Sequence, residues 1–274
     1  MRPKTRRVQA SSGWSFPSIA ELWSHRELLV LLASREFRPR YRQTVLGVAW
    51  VVMQPLVAGV VFAFVFGRIA GLPSDGTPYI VFAYTGFVGW NFFAGGVTRA
   101  SNSLVGNQPL VTKVYLPRLA LPTSSILLGY IDVGVSWLLL VIMFIHFRLA
   151  PTWTILVLPL PIVLLTIVTV GIGLWAAALN ARYRDFTYAL PVLLQILLFV
   201  SPVAYSGTLV PEELRWVAAL NPVYACIEGL RHALFGRSSL TIVTLALSSA
   251  SAVATLVTGL LVFRRIERTF ADRM

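Results

Sequence analysis

Six long apolar stretches, none interrupted by lysine or arginine, constrain this chain more than anything else in it. They cover residues 47–67, 79–98, 123–147, 154–179, 187–206 and 239–263, half of the 274 residues, and only Asp132 and His146 break their apolar character. At about 1.5 Å of rise per residue, each is long enough as a helix to cross a hydrocarbon layer about 30 Å thick. Lipid offers no partner to an open backbone, so stretches of this length must close their hydrogen bonds internally as helices. Strands are excluded by span length and by the lack of alternation. The expected fold class is therefore an all-α membrane protein of six transmembrane helices. Composition agrees: hydrophobic residues make up 57% and charged residues 12%, against about 25% charged in soluble domains.

The charge that remains is mostly basic and unevenly placed. The net charge is +12, from 23 Lys+Arg against 11 Asp+Glu. With six spans both termini share one side. The segments 1–46, 99–122, 180–186 and 264–274 on that side hold 18 of the basic residues, and the opposite side holds Arg68, Arg148, Arg215, Arg231 and Arg237. The positive-inside rule puts both termini in the cytoplasm. The same asymmetry accounts for the basic balance through an anionic inner leaflet, so no nucleic-acid partner is expected. No cleavable signal peptide is expected, because the first apolar run, Leu28 to Ala33, is short and followed by Arg35.

Outside the spans, residues 1–17 form a basic tail and 18–38 an amphipathic unit. Ser18 and Glu21 have capping-box spacing, Trp23 suits an interfacial anchor, and Leu22, Leu28, Leu29 and Leu32 recur at helical spacing. Arg26 lies within it, Arg35 and Arg38 close it, and Pro39 stops it. A helix along the inner surface follows, over 18–37. In the inner loop 99–118, Pro109 after Asn107-Gln108 starts about two helical turns that Pro117 ends, with Leu110, Val111, Val114 and Tyr115 on them. A helix so short needs a surface to pack on. The second inner loop is Arg182, Tyr183, Arg184 and Asp185, before the fifth stretch. Between spans five and six, residues 211–235 carry two helix starts, Pro211-Glu212-Glu213 and Asn221-Pro222, with Gly236 as a stop. They read as two short re-entrant outer helices, a gate over an exit. Glu228 and Arg231, three residues apart, can pair with each other.

Recognisable chemistry is scarce. No Gly-x-x-x-x-Gly-Lys-Ser/Thr string is present, so the chain holds no phosphate-binding loop and is no ATPase of that class. His25, His146, His232 and the single Cys226 have no metal-ligand spacing, so no metal is expected, and no hydrolase elbow appears. Asp132, nine residues into span three, is about 13 Å deep. It suits a structural role at a wet helix junction better than a proton relay, since no second acid or basic relay accompanies it in the spans. Aromatics are the denser constellation. Span two holds Tyr79, Phe82, Tyr84, Phe87, Trp90, Phe92 and Phe93, and Phe199 and Tyr205 follow in span five. Belts and core packing account for such rings, while aromatic faces also stack on the C–H faces of sugars. Tyr84, Phe87, Trp90, Phe199 and Tyr205 are the channel-lining candidates.

The run Arg40-Tyr41-Arg42-Gln43-Thr44-Val45-Leu46-Gly47-Val48-Ala49-Trp50, continuing to Gln54-Pro55, resembles the start of polysaccharide-export permeases of the ABC-2 superfamily. Further matches fall at Phe66-Gly67, Ala100 to Val105, Lys113 to Arg118, Asn180 to Asp185, Ser201-Pro202, Leu220 to Pro222 and Glu228-Gly229, over about residues 20–240 in order. The resemblance implies an ABC-2 exporter fold and a homodimer driven by two copies of a separate ATP-binding cassette subunit. That subunit would hold ATP and Mg, leaving this chain with no cofactor of its own. It implies an interface helix at 18–38, a coupling helix at 107–118 with Asn107, Pro109, Leu110, Lys113, Tyr115 and Arg118, and a second contact at 182–185. Glu212, Tyr224, Glu228 and Arg231 would belong to the outer gate. A polyprenyl-linked glycan in the bacterial inner membrane is the implied substrate. An ABC-2 exporter of drugs or lipids is the alternative, followed by an ion-coupled carrier using Asp132.

Overall fold

A computed structural model describes Glu27, Leu29 and residues 31–34, 49–113, 117–237 and 239–267, the side chains of 111–113 excepted. Every regular element among the described residues is helical, with no strand among them. In chain order they form α1 (Ala49–Phe62), α2 (Tyr79–Gly106), α3 (Gln108–Lys113), α4 (Ala120–Leu127), α5 (Gly129–His146), α6 (Pro159–Arg182), α7 (Phe186–Val200), α8 (Arg215–Ala219), α9 (Pro222–Phe235) and α10 (Ile242–Glu267). A π-helical stretch, Ala63–Ile69, prolongs α1, and a 3-10 turn, Trp153–Val157, leads into α6.

Five helical segments are long and apolar enough to cross a bilayer: Ala49–Ile69, Tyr79–Gly106, Ala120–His146, Trp153–Arg182 and Ile242–Glu267. The chain is thus a multi-pass membrane protein. The fifth expected stretch, 187–206, differs: α7 has 15 residues and ends at Val200, about 22 Å at the helical rise. Its stop is Pro202. The residue before a proline is pushed out of the α region, and Ser201 is extended at φ −91°, ψ 145°. The second stretch, expected to end at residue 98, runs on to Gly106. Arg99 ends the apolar run but not the helix, because Ala100, Ser103 and Leu104 pack inward beyond it. Most of the expected loop 99–118 is therefore helix.

α2 is the central element. Most of its apolar length is buried inside the protein, whereas little of that of α1 and α10 is, the arrangement expected where lipid takes the outer faces. The largest core cluster gathers Phe87, Trp90, Phe92 and Phe93 of α2 with Leu165 and Val168 of α6 and Cys226, Ile227 and Leu230 of α9. A second cluster closes the end where α2, α6 and α10 finish, joining Leu104, Leu121, Leu174, Phe263 and Ile266. Leu32 is buried in that cluster and Leu29 packs against it, while Leu31 and Glu27 are exposed. The described part of the amphipathic segment is thus helical and turns an apolar face inward. Glu21, Trp23, Arg26, Arg35 and Arg38 lie outside the described residues.

Candidate functional site

Polar chemistry concentrates in three places along the bundle. The first is the end formed by the termini of α2, α6 and α10. The Asn107 amide donates to the Ser103 carbonyl (2.9 Å) as α2 stops, and the Leu110 amide N–H donates to the Asn107 carbonyl (2.9 Å), starting α3. Pro109 is exposed and Leu110 half-buried against the second cluster. Lys113 ends α3, and Tyr115 lies outside the described residues. Arg118 donates to the Glu267 carbonyl, anchoring the far side of the loop to α10. Arg182, Tyr183, Arg184 and Asp185 are all exposed, with the Arg182 guanidinium 5.2 Å from the Tyr183 ring centroid.

Asn180 joins these two loops, a link that sequence reasoning missed. It is buried in the last turn of α6, and its amide donates to the Ser101 carbonyl (3.0 Å) and to Asn102 Oδ1 (3.3 Å) on α2. The Thr187 hydroxyl of α7 donates to Asn180 Oδ1 (2.7 Å). One side chain therefore fixes α2, which leads into α3, to both helices flanking 182–185. Its signals in the sequence are an amide near the end of a long apolar run and its place at the head of the Asn180 to Asp185 match.

The second place is a cavity of about 540 Å³ between α1, α2 and α5, lined by Gln54, Trp90, Asn91, Phe92, Thr98, Arg99, Asp132 and Ser136, among others. Asp132 is not the lone intramembrane charge expected from the sequence: Arg99 Nη1 stands 3.5 Å from its Oδ2. The pairing arises because α2 continues past residue 98 and packs on α4 and α5 there. Arg99 Nε also donates to the Ser125 carbonyl (3.0 Å).

The third place lies beyond the end of α7. Asn221 caps α9, its side chain accepting from the Val223 N–H (3.0 Å), Pro222 occupies the first turn, and Gly236 ends the helix at φ 70°. The cap, the proline and the stop are those expected from the sequence. Before it, 211–219 holds only a 3-10 turn, Glu212–Leu214, and the five-residue α8. Glu212 is exposed and pairs with Arg215 (3.2 Å). Tyr224 Oη lies 3.1 Å from Ser239 Oγ.

Glu228 and Arg231 of α9 do pair, at 2.9 Å and with at most 2% of either side chain exposed, but pairing is the lesser part of their work. The Arg231 guanidinium also donates to the carbonyls of Pro202 (2.7 Å), Val203 (2.6 Å) and Tyr205 (3.0 Å), and stands 3.6 Å over the Phe82 ring. Glu228 accepts from the backbone N–H of Gly207 (3.3 Å) and from the N–H (3.2 Å) and hydroxyl (2.9 Å) of Ser239. The non-helical backbone at 201–207 is thereby satisfied by one buried ion pair, which meets the need for internal partners where water is scarce. Guanidinium geometry, with several donors in one plane, suits the three carbonyls. Gly86 lets α2 approach closely, since a methyl there would run into the Val203 carbonyl. Ser206 Oγ donates to Asp75 Oδ2 (2.6 Å), tying the 70–78 loop to the same segment.

The aromatic candidates divide. Tyr84 and Phe87 are buried inside the chain: Tyr84 donates to the Ser136 carbonyl (3.0 Å), and Phe87 meets Phe62 edge-on at 5.1 Å. Trp90, also buried, lies 5.4 Å from Phe93 and borders the α1–α2–α5 cavity. Phe199 is exposed, and Tyr205 donates to the Phe199 and Val200 carbonyls. Both border an apolar cavity of about 150 Å³ with Phe62 and Phe66. Among the described residues no cluster of three or more His, Cys, Asp or Glu has the spacing to hold a metal.

Comparison with known proteins connects these features. The family model described as ABC-2 type transporter matches residues 27–235. The O-antigen export system permease protein RfbA of Klebsiella pneumoniae is 24% identical over 90% of this chain and 94% of its own length. RfbA of Myxococcus xanthus is 28% identical over 75% of this chain and 79% of its own. The polysialic acid transport protein KpsM of Escherichia coli is 25% identical over 85% and 91%. A family match that takes in α1 through α9, over helices of membrane-crossing length, places the chain in the ABC-2 type transporter family.

Proposed function

We propose that this chain is the permease subunit of an ATP-driven exporter that moves a lipid-linked polysaccharide out of the cytoplasm across the bacterial inner membrane. The observation that carries the reading is the similarity to O-antigen and polysialic acid permeases along nearly their whole length. On this reading six segments cross. Five are the long helices, and the sixth is α7 with its broken extension 201–207 held by Arg231 and Glu228. The excess of basic residues beside the ends of α2, α6 and α10 orients both termini to the cytoplasm.

The 274 residues hold no Gly-x-x-x-x-Gly-Lys-Ser/Thr string, and on this reading the work comes from a separate subunit. Two copies of a separate ATP-binding subunit would hold ATP and Mg, gripping a homodimer of this chain through α3 and the exposed 182–185 loop. The amphipathic helix 18–38 would lie alongside as the interface helix. Closure of the ATP-binding subunits pushes α3, and α2 carries the displacement upward because it is one unbroken helix of 28 residues. α9 and the turns at 211–219 act as the outer gate. Tyr84 and Phe87 are closed within one chain, so they become wall residues only if α1 or α5 moves off α2, whereas Phe199 already faces outward.

Lys113→Glu and Tyr115→Ala test the coupling role. Surface polysaccharide should fall about tenfold, the scale of a coupling energy of 1–3 kcal/mol, while the protein still inserts and the assembled complex still hydrolyses ATP. Export at the wild-type level by both variants contradicts the assignment.

A further inference from the structure

We propose that the cavity between α1, α2 and α5 is a binding site for the neutral sugar hydroxyls of the transported glycan. The inference rests on the export reading above and adds to it a place and a chemistry. The cavity, at about 540 Å³, falls in the range of pockets that enclose small ligands, about 300–1,000 Å³. Its position follows from the helices that wall it. Asn91 and Arg99 are eight residues apart on α2, so the polar strip runs about 12 Å along the helix. Its lower end, Arg99, is nine residues from the start of α3, and Gln54 lies five residues into α1. The strip therefore occupies the cytoplasmic half of the spans, where cargo enters.

The lining is unusual for that depth. Gln54, Asn91, Thr98, Arg99, Asp132 and Ser136 bring two amides, two hydroxyls, a guanidinium and a carboxylate to one hollow. Ionisable side chains at membrane depth are costly and mark polar pathways. The Gln54 and Asn91 amides make no hydrogen bond to other described residues, so they are available to a ligand as donors and acceptors.

Charge selects among polar ligands. Among the described residues of the lining, Arg99 and Asp132 are the charged ones, and at 3.5 Å they offset each other. A diphosphate would bring its negative charge against Asp132, a like-charge contact that the adjacent guanidinium only cancels. Sugar hydroxyls suit the pair better, because each both donates to a carboxylate and accepts from a guanidinium. Trp90 and Phe92, both buried, border the same cavity and close its apolar side. The amides complete a set that recognises polyols without fixing a unique sequence, as a moving polymer requires.

The test uses the full chain in phosphatidylcholine nanodiscs and two fluorescent probes, undecaprenyl diphosphate with and without an attached neutral hexose oligosaccharide. Wild-type protein should bind the glycosylated lipid about tenfold more tightly than the bare one, the effect of one or two hydrogen bonds to charged groups. Asn91→Leu and Gln54→Leu, neither of which breaks a hydrogen bond to another described residue, should each remove most of that advantage while leaving bare-lipid binding as it was. Equal binding of the two probes by wild type, or an undiminished advantage in both variants, overturns the sugar site. A wild-type chain that binds neither probe and exports no polysaccharide in cells instead removes the export reading on which the site rests.

Discussion

A single side chain, Arg231, carries the most structural consequence in this molecule. It is fully buried, pairs with Glu228 and satisfies three carbonyls of the segment after α7. Removing one partner from such a pair strands the other charge, which costs about 3–5 kcal/mol. Arg231→Ala should therefore lower the midpoint of thermal unfolding, followed by tryptophan fluorescence in detergent, by many degrees. Arg231→Lys should recover little of it, because an ammonium cannot span three carbonyls and a carboxylate in one plane. Near-complete rescue by lysine would show that charge alone matters at this position. The pairing of Glu228 with Arg231 was legible in the sequence from their spacing, but the carbonyls were not. Nothing in residues 201–207 announces that its backbone will face another helix 20 residues later.

At the scale of elements, Asn180 is where two loops become one device. It holds Ser101 and Asn102 of α2 against α6 and accepts from Thr187 of α7. If the two loops move together when the ATP-binding partner closes, Asn180→Leu should leave ATP hydrolysis by the complex intact. Export should drop about fivefold, within the 0.5–2 kcal/mol that residues along a coupling route carry. Export and hydrolysis falling in parallel would point to lost folding instead. The elements themselves were read well where hydropathy and helix geometry agree. The caps at Asn221-Pro222 and the stop at Gly236 stand where the sequence puts them. Reading failed where the two diverge. Arg99 ends an apolar run yet sits inside α2, and Ser201-Pro202 ends a helix inside an apolar run. Hydropathy reports solvent and lipid, whereas helix ends report backbone geometry, and only the proline could have been caught locally. The Arg99–Asp132 contact was hidden for the same reason, since it needs α2 to outlast its apolar stretch.

For the whole molecule, the features fit a passive conduit moved by something else. It has apolar outer faces, a polar cavity in the half of the spans nearer α3, a braced break beyond α7 and an exposed loop, 182–185, with two arginines at the end of α6. The chain offers no nucleotide-binding loop, and its intramembrane carboxylate is paired rather than poised alone as a relay. The most direct test is reconstitution into sealed vesicles, scoring glycan moved across the membrane. The account predicts movement only when the ATP-binding subunit and ATP are both present. Transport by this chain alone, driven by a proton or sodium gradient, would contradict it.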